Sequence, residues 1–534
     1  MIPILLAPIS GALYAFAFPN FFNTGWFFLS PVALLLMSWC LEKIPSTRKR
    51  IIAVLLHQTG FNLTGFYWVP ATLQEFGGLP PIASHFIALF LALVLNPQWW
   101  GWLVWLRFRE RIPGFKTWTP DMRSLYGAIL LTGVEILIPQ QFPVFAGHVW
   151  MQFDQWLQLA PIGGVSLYSF FTWWLVLTLQ QSLTRRTISA APLVLCFIFF
   201  LLHLVLPKWE INDAKQSLNI RVVQANVGNF LKIESESGVP GAIEDVIQRY
   251  QELSLKENPQ ELDLLIWPET AYPFSMSSPQ YKKREKTPPA LFTDIVAQTG
   301  SEILLGGYDN NGGDRSWMDR FETEYNAAFH IGTQGEFKQV YRKHILIPFG
   351  ETMPFGPFNK TLSAWVPGTS FFAAGTEFPI FTTRKGARFV TPICYEILQS
   401  RFVAMLLNRP THPADFIVNL TNDSWYGKTA EPFQHLFLAK WRAVEFRRPI
   451  VRSTNTGITT VIYPNGIEGR RLYTGEKDVL DIKLELPLTP PTTIYQIWGY
   501  LPLIGLWLVL ALGFTSFWWL KILLAKDRVS AARP

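Results

Sequence analysis

The chain has 534 residues, of which 49% are hydrophobic, 15% aromatic and only 16% charged, against about 25% charged in an average soluble domain. That balance, with a positive mean hydropathy, points to a membrane protein that keeps a substantial polar part. The net charge of +7 does not indicate a nucleic-acid partner, because the basic residues outside the polar part cluster in short loops between apolar runs. The three cysteines show no CxxC or Cys/His ligand spacing, so neither zinc nor a disulfide framework is expected, and no cofactor is called for.

Apolar segments come first in chain order. They are Ile2–Pro19, Trp26–Leu41, Ile51–Val69, Ile82–Leu106, Ser124–Pro139, Val165–Leu183 and Ala190–Leu206, with a last one at Ile497–Leu520. Most approach the roughly 20 residues that cross a bilayer. The predicted architecture is therefore a polytopic α-helical membrane domain of about eight spans. The N-terminus lacks a basic leader region and reads as a retained span. Cys40 and Cys196 lie in these runs and read as packing residues.

The connecting loops alternate in charge. Lys43, Arg48, Lys49 and Arg50 follow the second run, and Arg107, Arg109, Arg111, Lys116 and Arg123 follow the fourth. The loops 20–25, 70–81 and 140–164 contain no Lys or Arg. The positive-inside rule then puts both termini in the cytoplasm and the polar part outside. The outer loops are aromatic, around Phe76–Pro81 and Phe142–Trp156, and suit the membrane interface. Glu135, near the outer end of the fifth run, reads either as a functional carboxylate or as one packed on a polar neighbour.

From about Lys208 to Pro487 the pattern changes to short β-rich runs alternating with amphipathic helices, which implies a layered α/β domain. The expected division is a seven-span membrane domain at 1–207, an extracytoplasmic α/β domain at 208–487, and a final span with its tail at 488–534.

Three polar residues end apolar strands in this domain. Leu264–Trp267 leads to Glu269, Phe337–Tyr341 to Lys343, and Phe389–Ile393 to Cys394. Each has an ordinary explanation: a helix cap, a salt-bridged lysine, a packed cysteine. Together they have a chemical one. A thiol at a strand-to-helix turn, with the helix expected from Ile397 to Asn408, lies beside backbone N–H groups and a helix N-terminus, both of which favour a thiolate. A carboxylate supplies a general base and an ammonium supplies oxyanion stabilisation. Glu351, eight residues after Lys343, is placed to hold the ammonium charged. His344 and His435 offer a Cys–His alternative. Neighbouring strand residues face opposite ways, which separates His344 from Lys343, and His435 has no orienting acid beside it in sequence.

The blocks WPET (Trp267–Thr270), YRKHILIPFGE (Tyr341–Glu351), PICYE (Pro392–Glu396) and NLTNDSWYG (Asn419–Gly427) resemble the nitrilase superfamily. With the flanking spans, they resemble its membrane-embedded bacterial family, the apolipoprotein N-acyltransferases. That resemblance implies an αββα sandwich, a catalytic Glu269, Lys343 and Cys394, supporting Glu351, Tyr395 and Glu396, and substrate-wall positions at Asn422 and Trp425. The aromatic stretch Pro354–Gly375, with Trp365 and Phe371, reads as a candidate substrate lid or as a packed loop. The implied reaction moves an acyl chain from a phospholipid, expected to be phosphatidylethanolamine, through a cysteine thioester to the α-amine of a diacylglyceryl apolipoprotein. It implies a monomer in the inner membrane with the catalytic domain on the periplasmic side. Ile233 and Val144 stand where the family carries tryptophans. Two other readings remain at this level: a membrane-tethered nitrilase-type amidohydrolase, and a non-catalytic membrane scaffold or transporter.

Overall fold

A computed structural model of the protein describes residues 2–75, 79–94, 96–112, 114–140, 142–185, 190–206, 214–257, 260–276, 288–310, 324–348, 350–353, 355–363, 371–408 and 413–531. The chain forms two compact units. One comprises Met1–Tyr67, Phe86–Lys208 and Thr493–Pro534; the other comprises Trp68–His85 and Trp209–Thr492.

The first unit is helical. Its helices include Ile2–Phe16, Leu29–Lys43, Thr47–Gly65, Gln98–Phe108, Pro120–Leu137, Ala160–Arg185, Ala190–Val205 and Leu501–Ala531. Among the described residues, one helix, Ala160–Arg185, is both long and apolar enough to cross a membrane, and four shorter apolar helices accompany it. The expected fourth span is broken. Pro81–Val94 and Gln98–Phe108 are separate helices, because Asn96 adopts a left-handed φ of 51° and Pro97 has no N–H to continue the ladder. Glu135 is buried and accepts hydrogen bonds from the Ala146 N–H at 3.1 Å and Trp173 Nε1 at 3.0 Å, which fasten the 142–147 loop. Val144, within that loop, is buried, and Trp150 donates to Thr172 Oγ1 at 2.9 Å.

The second unit carries the sheets. Its strands are β1 (Ala214–Gln224), β2 (Leu264–Ile266), β3 (Ser275–Met276), β4 (Glu302–Asn310), β5 (Glu324–Ile331), β6 (Phe337–Arg342), β7 (Phe381–Thr382), β8 (Arg388–Val390), β9 (Phe416–Thr421), β10 (Ile450–Thr454), β11 (Thr459–Ile462), β12 (Glu468–Leu472) and β13 (Asp478–Pro487). Among the described residues, β13-β1-β2-β4-β5-β6, with β3 on β4, form one sheet, and β12-β11-β10-β9-β8-β7 form the other.

The central strands are buried on both faces, as a strand covered on two sides must be. On one side of the first sheet, Val223, Leu265, Ile303, Leu305 and Phe329 pack against Val246, Tyr250, Phe292 and Ile295 from helices Pro240–Ser254 and Ala290–Thr299. On its other side, the His330 ring meets Phe381 and Phe389 of the second sheet at 5.9 Å each. In the second sheet, β9 and β10 run parallel through helix Glu431–Phe446. A parallel crossover lies on a sheet face, and the inner face is already filled, so this helix covers the outside. The result is the expected αββα order. β13 closes the first sheet antiparallel to β1, with Ile482, Leu484 and Leu486 inward and Asp481, Lys483 and Glu485 outward.

Candidate active site

Glu269 follows the interior strand β2, Lys343 the edge strand β6 of the same sheet, and Cys394 strand β8 of the other sheet, and the sandwich brings these three ends together. β2 places Glu269. Trp267, just before it, is locked by stacking on Tyr250 at 4.7 Å and by donating from Nε1 to Ser254 Oγ at 2.8 Å. The chain then turns tightly over β4, where the Gly306 N–H donates to the Pro268 carbonyl and Ala271 N–H to the Gly306 carbonyl. A Cβ at Gly306 would lie 2.4 Å from the Pro268 oxygen and 2.6 Å from the Glu269 Cα. Only glycine admits that approach.

Lys343 follows β6 and is fully buried. Its Nζ donates to Glu351 Oε1 at 2.8 Å and to Glu269 Oε1 at 3.1 Å. Asn326, on β5, uses one amide nitrogen for the same two oxygens, at 2.7 Å to Glu269 and 2.9 Å to Glu351. The remaining Glu269 oxygen accepts from the Asn422 backbone N–H at 2.8 Å, and that of Glu351 from the Ile347 N–H at 2.9 Å. Burial alone would lower the Lys343 pKa, but Glu269 and Glu351 outweigh it and hold the ammonium well above the usual range. Lys343 is therefore a fixed cation.

Cys394 is buried with a left-handed φ of 51°. A non-glycine residue held there stores strain of about 1–3 kcal/mol. The expected helix from Ile397 to Asn408 is instead a 3₁₀ turn, Cys394–Leu398, followed by an α-helix at Ser400–Leu407. The α-helix N-terminus is thus displaced from the sulfur. Burial pushes the Cys394 thiol well above its ordinary range, and Glu269, Asp423 and Glu351 push the same way while Lys343 opposes them. The thiolate expected from the sequence is not the resting form, so the reaction needs a base.

Glu396 joins the Cys394 turn to the Lys343 strand end. It accepts four hydrogen bonds, from Tyr341 Oη (2.7 Å) and the backbone N–H groups of Ile393 (2.8 Å), His344 (2.6 Å) and Ile345 (3.0 Å). Tyr395 is buried and its hydroxyl accepts from Gln399 Nε2 at 2.6 Å. Behind the turn, Asn419 Nδ2 donates to the Pro392 and Cys394 carbonyls, and Arg452 grips Asn419 Oδ1 and Asp423 Oδ2 at 2.9 Å each.

The remaining expected residues fall as follows. Asn422 is buried and meets Glu269 through its main chain. Trp425 is half-buried with its ring near Gly350, beside Glu351. Phe371 is buried with a φ of 50°, and the next residue, Phe372, donates its N–H to the Glu351 carbonyl. Trp365 lies outside the described residues. Ile233, on helix Asn229–Glu236, is exposed. His344 stacks between Tyr341 and Phe378 rather than joining the cluster. His435 does have acids beside it, with Nδ1 at 3.5 Å from Asp423 and 3.8 Å from Glu431. Burial and Arg452 lower its pKa and keep the ring neutral. Asn326 and Gly306 are site residues that the sequence reading misses; only the Gly306-Gly307 pair within an apolar run is a visible signal.

A buried Glu–Lys–Cys cluster built from strand ends of both sheets of a two-sheet sandwich fits the match of residues 219–492 to the carbon-nitrogen hydrolase family model. The chain belongs to that superfamily. Residues 10–178 match the model of the apolipoprotein N-acyltransferase N-terminal domain. The chain is 31% identical to the apolipoprotein N-acyltransferase of Bdellovibrio bacteriovorus, over 88% of this chain and 86% of that protein. It is 29% identical to that of Vibrio cholerae, over 96% and 97%. An amidase of the nitrilase superfamily from Nesterenkonia aligns with 55% of this chain and 99% of its own, at 17% identity and a TM-score of 0.37. The chain is a member of the apolipoprotein N-acyltransferase family.

Proposed function

We propose that this protein N-acylates apolipoproteins by a two-step transfer through a thioester on Cys394. Glu269 takes the thiol proton as the sulfur attacks an ester carbonyl of a membrane phospholipid. The tetrahedral oxyanion is met by the Lys343 ammonium and the Tyr395 backbone N–H. Collapse breaks the ester C–O bond. Glu269 returns the proton to the departing alkoxide, leaving a lysophospholipid and an acyl-Cys394 thioester. The α-amine of an S-diacylglyceryl cysteine then attacks the thioester. Glu269 accepts the amine proton, the C–S bond breaks, and the thiolate is reprotonated, leaving an amide.

The observation that carries this reading is the sharing of one Lys343 ammonium between Glu269 and Glu351, beside a thiol whose burial forbids a resting thiolate. Such a thiol requires a base at the moment of attack. The supporting roles follow from contacts: Glu351 fixes the ammonium, and Glu396 holds the Cys394 turn against the Lys343 loop. Asn422, beside Glu269, and Trp425, near Gly350, are the proposed substrate-wall residues, and Phe371 and Trp365 are proposed substrate contacts from the aromatic stretch Pro354–Gly375, Trp365 from the sequence alone. Phosphatidylethanolamine is the proposed donor. The proposed setting is the bacterial inner membrane, with eight spans at 1–207 and 488–534, cytoplasmic termini, a periplasmic catalytic domain at 208–487, and a monomer as the active form.

The deciding experiment is intact mass measurement of purified protein after incubation with phospholipid and no amine acceptor. One added acyl group is expected, released by neutral hydroxylamine and absent in Cys394→Ala. Adding a diacylglyceryl peptide should then yield its amide. Free fatty acid in place of amide favours an amidohydrolase-like enzyme, and no adduct in folded protein defeats the acyl-enzyme reading.

A further inference from the structure

Helix Asn229–Glu236 turns two faces to different surroundings. Phe230 and Ile233, three residues apart, are 77% and 49% exposed. Lys232 points the other way, with its side chain only 14% exposed. Its Nζ donates to the Thr270 carbonyl at 2.7 Å and to Thr270 Oγ1 at 2.8 Å, and pairs with Glu236 Oε1 at 2.9 Å. Glu236 in turn accepts from the Tyr308 hydroxyl on β4. Lys232 is thus held from behind and presents its charge to one peptide unit.

That carbonyl belongs to Thr270, the residue immediately after Glu269. Thr270 has a φ of 46°, a left-handed conformation that a β-branched residue resists. The turn is anchored on one side by the Gly306 backbone. On the other side the Lys232 ammonium holds both Thr270 oxygens, and the Thr270 hydroxyl also meets that of Tyr308. Of these contacts only Lys232 holds the Thr270 carbonyl with a charge, and a strained Thr270 released from it would relax toward an extended φ and shift the adjoining Glu269 from Lys343, Asn326 and the Asn422 N–H.

We propose that Lys232 is a positioning residue for Glu269, holding the strained Thr270 turn so that the carboxylate stays aimed at the Cys394 cluster. The proposal rests on the assignment of Glu269 as the base. It does not place Lys232 in contact with substrate. It makes helix Asn229–Glu236 part of the catalytic framework, although none of its residues reaches the sulfur.

The test compares Lys232→Met, Lys232→Arg and Glu269→Gln in full-length protein in phospholipid nanodiscs. Acyl-enzyme formation is followed by intact mass and normalised to Cys394 titrated with an alkylating reagent. Lys232→Met should acylate more slowly by on the order of 10²-fold, the cost of a small misplacement remote from the chemistry. The half-saturating donor concentration should stay within about twofold, as expected when only positioning for the transition state is lost. Lys232→Arg should recover most of the rate. Adding Thr270→Gly to Lys232→Met removes the strain that drives the relaxation and should recover part of the lost rate and of any lost folded yield. Wild-type rates per titrated cysteine in Lys232→Met overturn the proposal, as does a loss confined to half-saturation or a double variant no faster than Lys232→Met. Normal acylation by Glu269→Gln overturns the base assignment, and the positioning role with it. A dead Glu269→Gln beside an unimpaired Lys232→Met removes the positioning role alone.

Discussion

Glu269 and Glu351 each point one oxygen at the same pair of donors, Lys343 Nζ and Asn326 Nδ2. Two buried carboxylates that face each other repel unless positive charge or donors lie between them. Here a full charge and a neutral amide share that task. The ammonium cancels one unit of negative charge, and the amide ties both carboxylates in one geometry without adding another.

Asn326 is therefore expected to matter nearly as much as the charged residues. Asn326→Ala leaves both carboxylates one donor short. Losing a hydrogen bond to a charged group costs about 1.5–3 kcal/mol, so acylation should slow by roughly 10- to 100-fold. Asn326→Asp should be worse, because it replaces the shared donor with a third negative charge. Single-turnover acylation measured by intact mass checks both. An Asn326→Asp variant as fast as Asn326→Ala would show that the amide acts only as filler.

Gly306 sets how close the Glu269 turn comes to β4. In Gly306→Ala the new methyl meets the Pro268 oxygen at 2.4 Å and the Thr270 nitrogen at 2.7 Å, all backbone with no side chain to swing away. Overpacking of this kind typically costs about 1–3 kcal/mol. Thermal unfolding should shift down, and acylation should fall further than Gly307→Ala makes it. At Gly307 the nearest neighbour is the Met276 Cε, a flexible side-chain end at 3.0 Å. Equal activity in the two variants would remove the close approach from the account.

The contrast between these residues and the charged trio explains what the sequence could reveal. Glu269, Lys343 and Cys394 each interrupt the end of an apolar run, and that one-dimensional signal survives without coordinates. Asn326 begins a run that looks like any other strand. Its role depends on the pairing of β4, β5 and β6, which sets Ala327 opposite Arg342 and brings Lys343 beside Asn326. Gly306 matters only because a turn from another strand lands on it. The turn at Cys394 departs from its sequence expectation for a related reason. The run from Ile397 to Asn408 has helical periodicity, but the capping of the Ile393 N–H by Glu396 winds the first residues into a 3₁₀ turn and delays the α-helix. The break at Asn96-Pro97 was readable from proline chemistry alone, and apolar continuity concealed it.

The charges around Cys394 predict opposite effects on thiol reactivity for two variants that should both lose turnover. Burial and Glu269 raise the thiol pKa, while Lys343 lowers it. Glu269→Gln removes a negative charge and should increase alkylation of Cys394 by iodoacetamide at pH 8, by roughly tenfold for each unit of pKa recovered. Lys343→Met removes the positive charge and should slow alkylation. Acylation should fall in both. Slower alkylation in Glu269→Gln would mean that the carboxylate activates the thiol at rest, contrary to a base that acts only during attack.

Glu396 gives activity and stability opposite dependences on pH. Burial raises its pKa from 4.5 to about 7, against the pull of its hydrogen bonds from Ile345, Ile393 and Tyr341. A raised carboxyl pKa means that the folded chain binds this proton more tightly than the unfolded chain. Its contribution to stability is fully present below about 4.5 and is lost as pH rises through about 7. Activity runs the other way. Only the ionised carboxylate accepts from all four donors, and a proton on it turns a donor toward a donor and loosens the Cys394 turn from the Lys343 loop. Acylation should therefore fall as pH drops below about 7, while the unfolding temperature rises over the same interval. In Glu396→Gln the fall of stability with pH in this window should flatten and acylation should be low throughout, because the amide presents donors to backbone N–H groups. Parallel measurement of thermal unfolding and single-turnover acylation from pH 5 to 8 decides the matter. If both fall together with decreasing pH, Glu396 is not the group that titrates.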